Sequence, residues 1–153
     1  MIETKLYYRN FMGPIGDLTL ISDGHSLIEI KFGPVTNTVN SNKPILLETE
    51  KQLSEYFKKE RKVFSIKLDP IGTEFQLTVW NKLLQIPYGE TISYQELASR
   101  IGKKNASRAV GNANGKNPIP IIIPCHRVIR KNGSFGGYAG GLKVKKYLLE
   151  LEK

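Results

Sequence analysis

The segment that most restricts how this chain can fold surrounds its single cysteine, Cys125. Three prolines lie within the seven residues 118–124, and the run Ile121-Ile122-Ile123 separates the last two. Proline fixes φ and removes a backbone N–H donor, so neither a continuous helix nor a central strand passes through this stretch. We therefore predict a stiff, largely apolar strand-and-turn segment that ends at Pro124 and holds the thiol in place.

A histidine and an arginine, His126 and Arg127, directly follow this cysteine. A thiol reacts as its thiolate, and neighbouring cations lower the pKa of a cysteine. A free cysteine is more often a buried structural residue, but these neighbours favour a nucleophile with His126 as its general base. Adjacent residues of a strand point to opposite faces, so the imidazole would reach the sulfur only through a turn at Pro124 or a bridging water.

Length and composition are those of an ordinary globular protein, with 153 residues, 40% hydrophobic and 24% charged. Such a chain buries a core as one domain or as two small lobes. It has no apolar run near the roughly 18–20 residues that a membrane span needs, and its first residues lack a signal-peptide pattern. One cysteine excludes an intramolecular disulfide and a cysteine-rich zinc site. We therefore expect a cytoplasmic protein with no membrane partner.

Positive charge is concentrated in the second half of the chain. Residues 73–153 contain thirteen Lys and Arg against five Asp and Glu, whereas residues 1–72 contain ten against nine. The 53 residues from Leu97 to Leu149 include eleven basic residues and no acidic one. A field of one sign favours a polyanionic partner, most simply nucleic acid, which would place the protein at the nucleoid when bound.

The two halves also differ in predicted secondary structure, which indicates an α/β (α+β) protein with lobes at 1–70 and 71–153. The first lobe is predicted to be small and strand-rich, because short apolar runs alternate there with polar residues and turns. Its predicted elements are strands at 6–8, 18–21, 27–32 and 63–66, and a helix from Pro44 to about Lys59.

Capping boxes mark the first helices of the second, helical lobe. Thr73 is followed three residues later by Gln76, and Ser93 by Glu96, the spacing at which each side chain binds the other residue's backbone N–H. A further helix is predicted from about Leu142 to Glu152, with a buried face formed by Val144, Leu148 and Leu151.

A helix-turn-helix is predicted around Gly102, which ends the helix that Ser93 opens. Asn105 is placed to cap the second helix, from Ala106 to about Asn114. That helix carries Arg108 among small side chains, which favours close approach to a phosphate backbone or a shallow groove over elaborate base reading. Helical hairpins that bind nothing are common, however, and an isolated arginine is usually a surface charge.

A glycine-rich segment, residues 133–141, has five glycines in nine residues. It reads either as a flexible loop or as a loop whose backbone approaches a flat ligand, with Tyr138 as a stacking face. The segment lacks the strand–GxGxxG–helix context of a dinucleotide site. We therefore predict no nucleotide cofactor, and no other cofactor motif is present.

Taken together, these motifs resemble those of one family, the O6-alkylguanine-DNA alkyltransferases, or methylated-DNA–protein-cysteine methyltransferases. The resemblance covers essentially all of residues 73–153 in order and spacing, whereas the first lobe matches only in size and strand-rich pattern. The matching segments are Pro124-Cys125-His126-Arg127-Val128, Ile86-Pro87-Tyr88-Gly89-Glu90-Thr91-Ile92-Ser93-Tyr94, Arg108-Ala109-Val110-Gly111, Asn117-Pro118-Ile119-Pro120 and Tyr138-Ala139-Gly140-Gly141-Leu142.

The resemblance implies DNA repair by direct reversal, in which Cys125 irreversibly and stoichiometrically accepts an alkyl group from O6 of guanine. Activity on O4 of thymine is left open. His126 would activate the thiol through a water, and Glu152 would orient His126. Tyr94 would hydrogen-bond the extruded base and protonate the leaving guanine.

The resemblance also implies roles in DNA binding. Arg108 would enter the base stack where the extruded base had been, and Asn117 would brace the turn that follows the recognition helix. The base pocket would be lined by Tyr138, Ala139 and Gly140, with Pro120 against it. The implied partner is double-stranded DNA that contains an alkylated guanine, bound by a monomer.

No metal site is expected. Some members of the family hold zinc in the first lobe through two cysteines and two histidines, but this chain has no cysteine there and only His25. Two other functions stay open from the residues alone. A damage sensor that binds DNA without transfer would lack the acceptor, so Cys125 argues against it. A thiol hydrolase with a Cys/His pair is disfavoured by the carboxylate-free basic stretch.

DNA affinity is expected to fall steeply with salt and to depend little on base sequence. The basic residues between Leu97 and Leu149 offer phosphate contacts, and each phosphate neutralised on duplex DNA contributes about −0.9 to the slope of log K against log salt. Fluorescence-anisotropy titrations of labelled duplexes at several salt concentrations measure this slope. A salt-independent affinity would contradict the electrostatic account.

Overall fold

The computed structural model describes residues 5–35 and 39–153. The chain divides into two compact units, residues 1–71 and 72–153. Strands dominate the first unit and helices the second, so the α/β (α+β) prediction is confirmed. Among the described residues, no helix is long and apolar enough to cross a bilayer.

The first unit is an antiparallel three-stranded sheet in the order β1 (Tyr7–Gly13), β2 (Gly16–Ser22) and β3 (Leu27–Phe32), with helix α1 (Pro44–Phe57). The strands predicted at 18–21 and 27–32 form β2 and β3, and the helix predicted from Pro44 forms α1, whose residues Leu46, Leu53, Tyr56 and Phe57 are buried. The predicted strand at 6–8 also forms, although β1 extends to Gly13 to pair along the length of β2.

The strand predicted at 63–66 is wrong. The backbone of Ser65 hydrogen-bonds to the side chain of Gln52 in α1 instead of to a strand. The Oε1 atom of Gln52 accepts from Ser65 N at 2.9 Å. A buried glutamine therefore does what a neighbouring strand would otherwise do. This segment pairs with the sheet only at Leu68, which forms an isolated parallel β-bridge with Leu27.

The second unit contains helices α2 (Glu74–Leu83), α3 (Tyr94–Arg100), α4 (Ser107–Gly115) and α5 (Leu142–Leu151). The Thr73 capping box is confirmed, with both reciprocal bonds to Gln76 present. A short parallel pair, β4 (Ile92–Ser93) and β5 (Val128–Ile129), joins the chain before α3 to the chain after Cys125. This pairing places the start of α3 beside the cysteine segment.

The helix-turn-helix forms from α3 and α4, and Gly102 adopts a φ of 76° in the turn. Ser93 caps α3 by accepting from Glu96 N. The prediction that Asn105 caps the second helix is wrong, because α4 begins one residue later, at Ser107, with Ala106 at the N-cap and no side-chain cap. On its other face α4 is anchored to α2, where Trp80 Nε1 donates to Ala113 O at 2.8 Å.

Helix α5 forms as predicted but buries a different face. Lys145 and Leu148 are its fully buried residues, whereas Val144 and Leu151 are only half-buried. The hydrophobic pattern missed this face because a lysine occupies its centre. The carbonyls that bind this lysine belong to the segment before that helix.

Candidate active site

The cysteine is presented by a series of tight turns between α4 and β5. Residues 117–124 contain no strand, which corrects the predicted strand-and-turn segment. Asn117 closes the turns from within, since its Nδ2 donates to Ile123 O at 2.7 Å and its Oδ1 accepts from Ile119 N at 2.9 Å. Ile121 is buried with a φ of 74°, a conformation costly for a β-branched residue and held only by its surroundings.

Cys125 opens a single 3₁₀ turn, Cys125–Arg127, directly after Pro124. The alternation of a regular strand therefore does not apply to Cys125 and His126, although among the described residues His126 Nδ1 makes no hydrogen bond to the sulfur. All three residues of the turn are buried, and His126 is completely inaccessible. The sulfur, the imidazole and the guanidinium therefore share one small part of the interior.

Glu152, the C-cap residue of α5, hydrogen-bonds to the side chains of both His126 and Arg127 in this turn. Its Oε2 accepts from His126 Nε2 at 2.7 Å, so the pairing of His126 with Glu152 is present in the structure. Arg127 binds the same carboxylate through two donors, Nε to Oε1 at 2.9 Å and Nη2 to Oε2 at 3.0 Å. Such a bidentate, charge-assisted pair is strong and directional.

The Ile86–Gly89 turn completes the setting of this carboxylate. Ile86 O accepts from Arg127 Nη1 at 2.7 Å, and Gly89 N donates to Glu152 Oε1 at 3.3 Å. A Cβ added to Gly89 would lie 3.0 Å from Glu152 O, and its φ is 81°, so only glycine fits. The sequence reasoning missed Arg127 as the second holder of Glu152; its place in the Pro124–Val128 motif was the available signal.

The hydrogen-bond partners of His126 determine its tautomer. Because the Glu152 carboxylate only accepts, Nε2 carries the hydrogen and Nδ1 presents a lone pair. Among the described residues, Nδ1 has no hydrogen-bond partner. Burial lowers the pKa of His126, although Glu152 opposes this. A neutral imidazole with a free acceptor nitrogen is suited to take up a proton.

The thiol of Cys125 is not acidified by its sequence neighbours, contrary to expectation. Burial raises its pKa to about 11, and the groups that act in the opposite direction are the Asn117 amide and the Lys145 ammonium. The Arg127 guanidinium is directed at Glu152 and Ile86 instead. At neutral pH the resting group is therefore a thiol, which needs a base before it can react.

Lys145 is a fully buried cation beside this thiol, and sequence reasoning missed it. Its Nζ donates to Val128 O at 2.7 Å and to Gly137 O at 3.2 Å, and it also binds Phe135 O. It thereby ties α5 to β5 and to the glycine-rich loop. Burial lowers the pKa of Lys145 to about 8, while the charge of Cys125 favours its ammonium form.

A pocket of about 640 Å³ opens beside the cysteine, a volume in the range of small-molecule sites. Of the residues predicted to bind DNA or the base, Tyr94, Arg108, Tyr138 and Ala139 line it. Gly140 and Pro120 are not among its described lining residues, and Pro120 is buried behind the turns. The remaining lining residues are Ser107, Gly111, Asn114, Gly115, Arg130, Gly136 and Gly137.

Cys125 is not itself among the described lining residues of this pocket, but it interacts with three that are, Asn114, Tyr94 and Tyr138. Asn114, which lines it, donates from Nδ2 to Cys125 O at 3.4 Å. Burial raises the pKa of both Tyr94 and Tyr138, and a charge on Cys125 raises each further. The Tyr94 hydroxyl lies so close to the glycine-rich loop that position 136 requires glycine. A Cβ added to Gly136 would lie 2.6 Å from this hydroxyl.

The remaining titratable groups form no comparable centre. Among residues 5–35 and 39–153, no three His, Cys, Asp or Glu side chains cluster as metal ligands. His25 is exposed in the first unit. The candidate site thus consists of the pocket, Cys125 and the buried Glu152 network.

Family models match both units of the chain. Residues 74–153 match the DNA-binding domain of 6-O-methylguanine DNA methyltransferase, and residues 6–70 match its ribonuclease-like domain. Together these two matches cover nearly all of the chain.

Individual proteins are similar over almost the whole length. The methylated-DNA–protein-cysteine methyltransferase of Methanosarcina acetivorans is 48% identical over 96% of this chain and 98% of that protein. The constitutive enzyme of that name from Bacillus subtilis is 41% identical over 96% of this chain and 95% of that protein. The crystal structure of Mycobacterium tuberculosis OGT in complex with DNA superimposes with a TM-score of 0.89 at 47% identity, covering 96% and 92% of the two chains.

Replacement of Lys145 by Met is expected to slow alkylation of Cys125 by iodoacetamide. Loss of the buried ammonium raises the pKa of Cys125 further, which lowers the thiolate fraction at any given pH. The effect is expected to be several-fold at pH 7 and to shrink by pH 9.5, because wild-type Lys145 itself loses its proton above about pH 8. Intact-mass time courses at the two pH values measure the rates.

The matched control is Lys146→Met, which removes the same charge from the adjacent, exposed position. Circular dichroism establishes that both variants are folded. Equal alkylation rates in the two variants, or a difference that does not change with pH, would contradict the assigned influence of Lys145 on the thiol.

Proposed function

Because the chain belongs to the 6-O-methylguanine DNA methyltransferase family, we propose that it repairs DNA by direct reversal, with Cys125 as the acceptor. In this reaction a methyl or other alkyl group moves from O6 of guanine to the sulfur. The observation that carries the proposal is the position of Cys125. Its carbonyl accepts from Asn114, a residue of the pocket lining, and it is followed by an imidazole that Glu152 binds.

The chemistry is an in-line displacement at the alkyl carbon, for which a sulfur nucleophile is well suited. The thiol proton passes through one bridging water to Nδ1 of His126, and the new imidazolium is stabilised by Glu152. The S–C bond forms as the bond from carbon to O6 breaks. The electron pair goes to the guanine, which Tyr94 protonates.

The raised pKa values suit these roles. A thiol whose pKa is about 11 stays protonated until a base acts on it, which keeps the buried site inert towards other electrophiles. Burial raises the pKa of Tyr94, so its hydroxyl is protonated at neutral pH and is available as a donor. The product is a thioether, a bond that neither water nor a thiol breaks under physiological conditions. Each molecule therefore acts once.

DNA is the partner that the basic second unit binds. The substrate we propose is a duplex with an alkylated guanine, whose target base must be extruded at a cost of a few kcal/mol. Arg108 is exposed on α4 at the pocket, and within the described part of the chain its side chain has no ion-pair partner. It is free to fill the vacated position in the stack. We further propose a monomer that acts in the cytoplasm, at the nucleoid when bound.

Transfer is expected to be stoichiometric and confined to Cys125. After incubation with excess O6-methylguanine duplex labelled in the methyl group, intact-mass analysis should show one added methyl per chain. Peptide mapping should place it on Cys125, and Cys125→Ala should take up none.

The fate of the label separates the alternatives. Label that stays on the DNA would indicate a sensor, and label released to solution would indicate a hydrolase. Either result, or more than one methyl per chain, would contradict the proposed reaction. Asn10→Ala, at an exposed position in the first unit, serves as the control and should transfer normally.

A further inference from the structure

Arg130 is a pocket residue to which the reaction described above assigns no role. It follows β5 directly and lines the same pocket as Tyr94 and Arg108. Its backbone is held in a closed turn, with Arg130 N donating to Ser134 O and Gly133 N donating to Arg130 O, both at 2.9 Å. The side chain therefore extends from a fixed base, although it is exposed at its own position.

Within residues 5–35 and 39–153, no acidic side chain pairs with the guanidinium of Arg130. No side-chain hydrogen bond or ion pair of Arg130 occurs among the described residues, and none of the described pocket-lining residues is acidic. Its charge instead opposes that of Lys145, whose pKa it helps to lower. Arg130 therefore lies near a second cation, Lys145, in a pocket whose described lining contains no carboxylate. A ligand that carries an anionic group would supply the missing negative charge.

The proposed substrate supplies such an anion. When a base enters the pocket, its sugar and flanking phosphodiesters remain at the rim, where Arg130 lies. The guanidinium presents a planar set of donors that matches two phosphate oxygens. Arg108, the other arginine of the lining, is not available for this contact if it occupies the gap in the base stack.

We propose that Arg130 binds a phosphodiester that flanks the extruded nucleotide and so positions the base in the pocket. This inference rests on the proposed function and adds a positioning residue to it. Arg130 would act wherever the modified base carries its phosphates, in duplex or single-stranded DNA. Arg108 would matter only where a base must leave a duplex.

Three substrates separate these roles: a methylated duplex, the corresponding single strand and the free O6-methylguanine base, all labelled in the methyl group. Arg130→Ala is expected to slow transfer from both DNA forms about tenfold, the effect of one lost charge-assisted contact, and to leave the free base unchanged. Arg108→Ala should slow transfer from the duplex alone. The charge-matched control, Lys51→Ala at an exposed position in the first unit and outside the basic stretch 97–149, should change all three rates less than about twofold.

Neutral methylphosphonate linkages on either side of the lesion test the phosphate directly. Wild-type protein should react about tenfold more slowly with this single strand, and Arg130→Ala should lose nothing further, because coupled partners give non-additive effects. Additive losses, equal effects of Arg130→Ala and Lys51→Ala on the single strand, or a slower reaction with the free base would overturn the inference. Failure of wild-type protein to transfer label from any substrate would instead overturn the proposed function.

Discussion

The buried Glu152 carboxylate is the group on which the rest of the site depends. It binds His126, both donors of the Arg127 fork and the backbone N–H of Gly89. These partners join the end of α5, the 3₁₀ turn and the Ile86–Gly89 turn. Burying a carboxylate is favourable only when its partners are present, and removal of one partner from a buried ion pair typically costs 3–5 kcal/mol. The network therefore holds the 3₁₀ turn that carries Cys125 and fixes the orientation of His126.

In this site the groups that surround the Cys125 thiol at rest are different from the base that would activate it. Burial disfavours the Cys125 thiolate, Lys145 and Asn117 partly offset that effect, and a neutral His126 stands next in the chain. Low reactivity of the resting thiol is an advantage in a protein that reacts only once, because alkylation by another electrophile would inactivate the molecule. Only a base seated in the pocket, with its alkyl carbon in line with the sulfur, meets all the requirements together.

Local rules accounted for the elements whose partners are close in sequence. The β2–β3 hairpin, α1, the Thr73 capping box and the helix-turn-helix all follow from short-range patterns. The failures lie where a distant side chain intervenes. Gln52 replaces a strand partner at Ser65, and Lys145 occupies a buried helix face because three carbonyls of the segment before that helix bind it. No period or propensity in a single sequence reveals such contacts.

In the candidate site, too, the motifs predicted the residues that lie close in sequence or in one motif, and they missed the contacts that depend on tertiary packing. Cys125 and His126 are adjacent in the chain, and Tyr94, Arg108, Tyr138 and Ala139 lie together at one pocket, as the motifs suggested. The partners of Arg127, the burial of Lys145 and the placement of Arg130 depend on how β5, α5 and the glycine-rich loop pack. The direction of the Cys125 pKa shift was also beyond reach, because it depends on burial more than on neighbouring charges.

The protonation state of His126 tests the central claim most directly. Nitrogen-15 NMR of the imidazole rings, with exposed His25 as the only other histidine, reports both tautomer and charge. The Glu152 network predicts a neutral ring with its hydrogen on Nε2, and a ring that stays neutral as the pH falls to about 6.5, the usual histidine pKa. A hydrogen on Nδ1, or an imidazolium at neutral pH, would contradict the account, because the nitrogen meant to receive the thiol proton would already carry one.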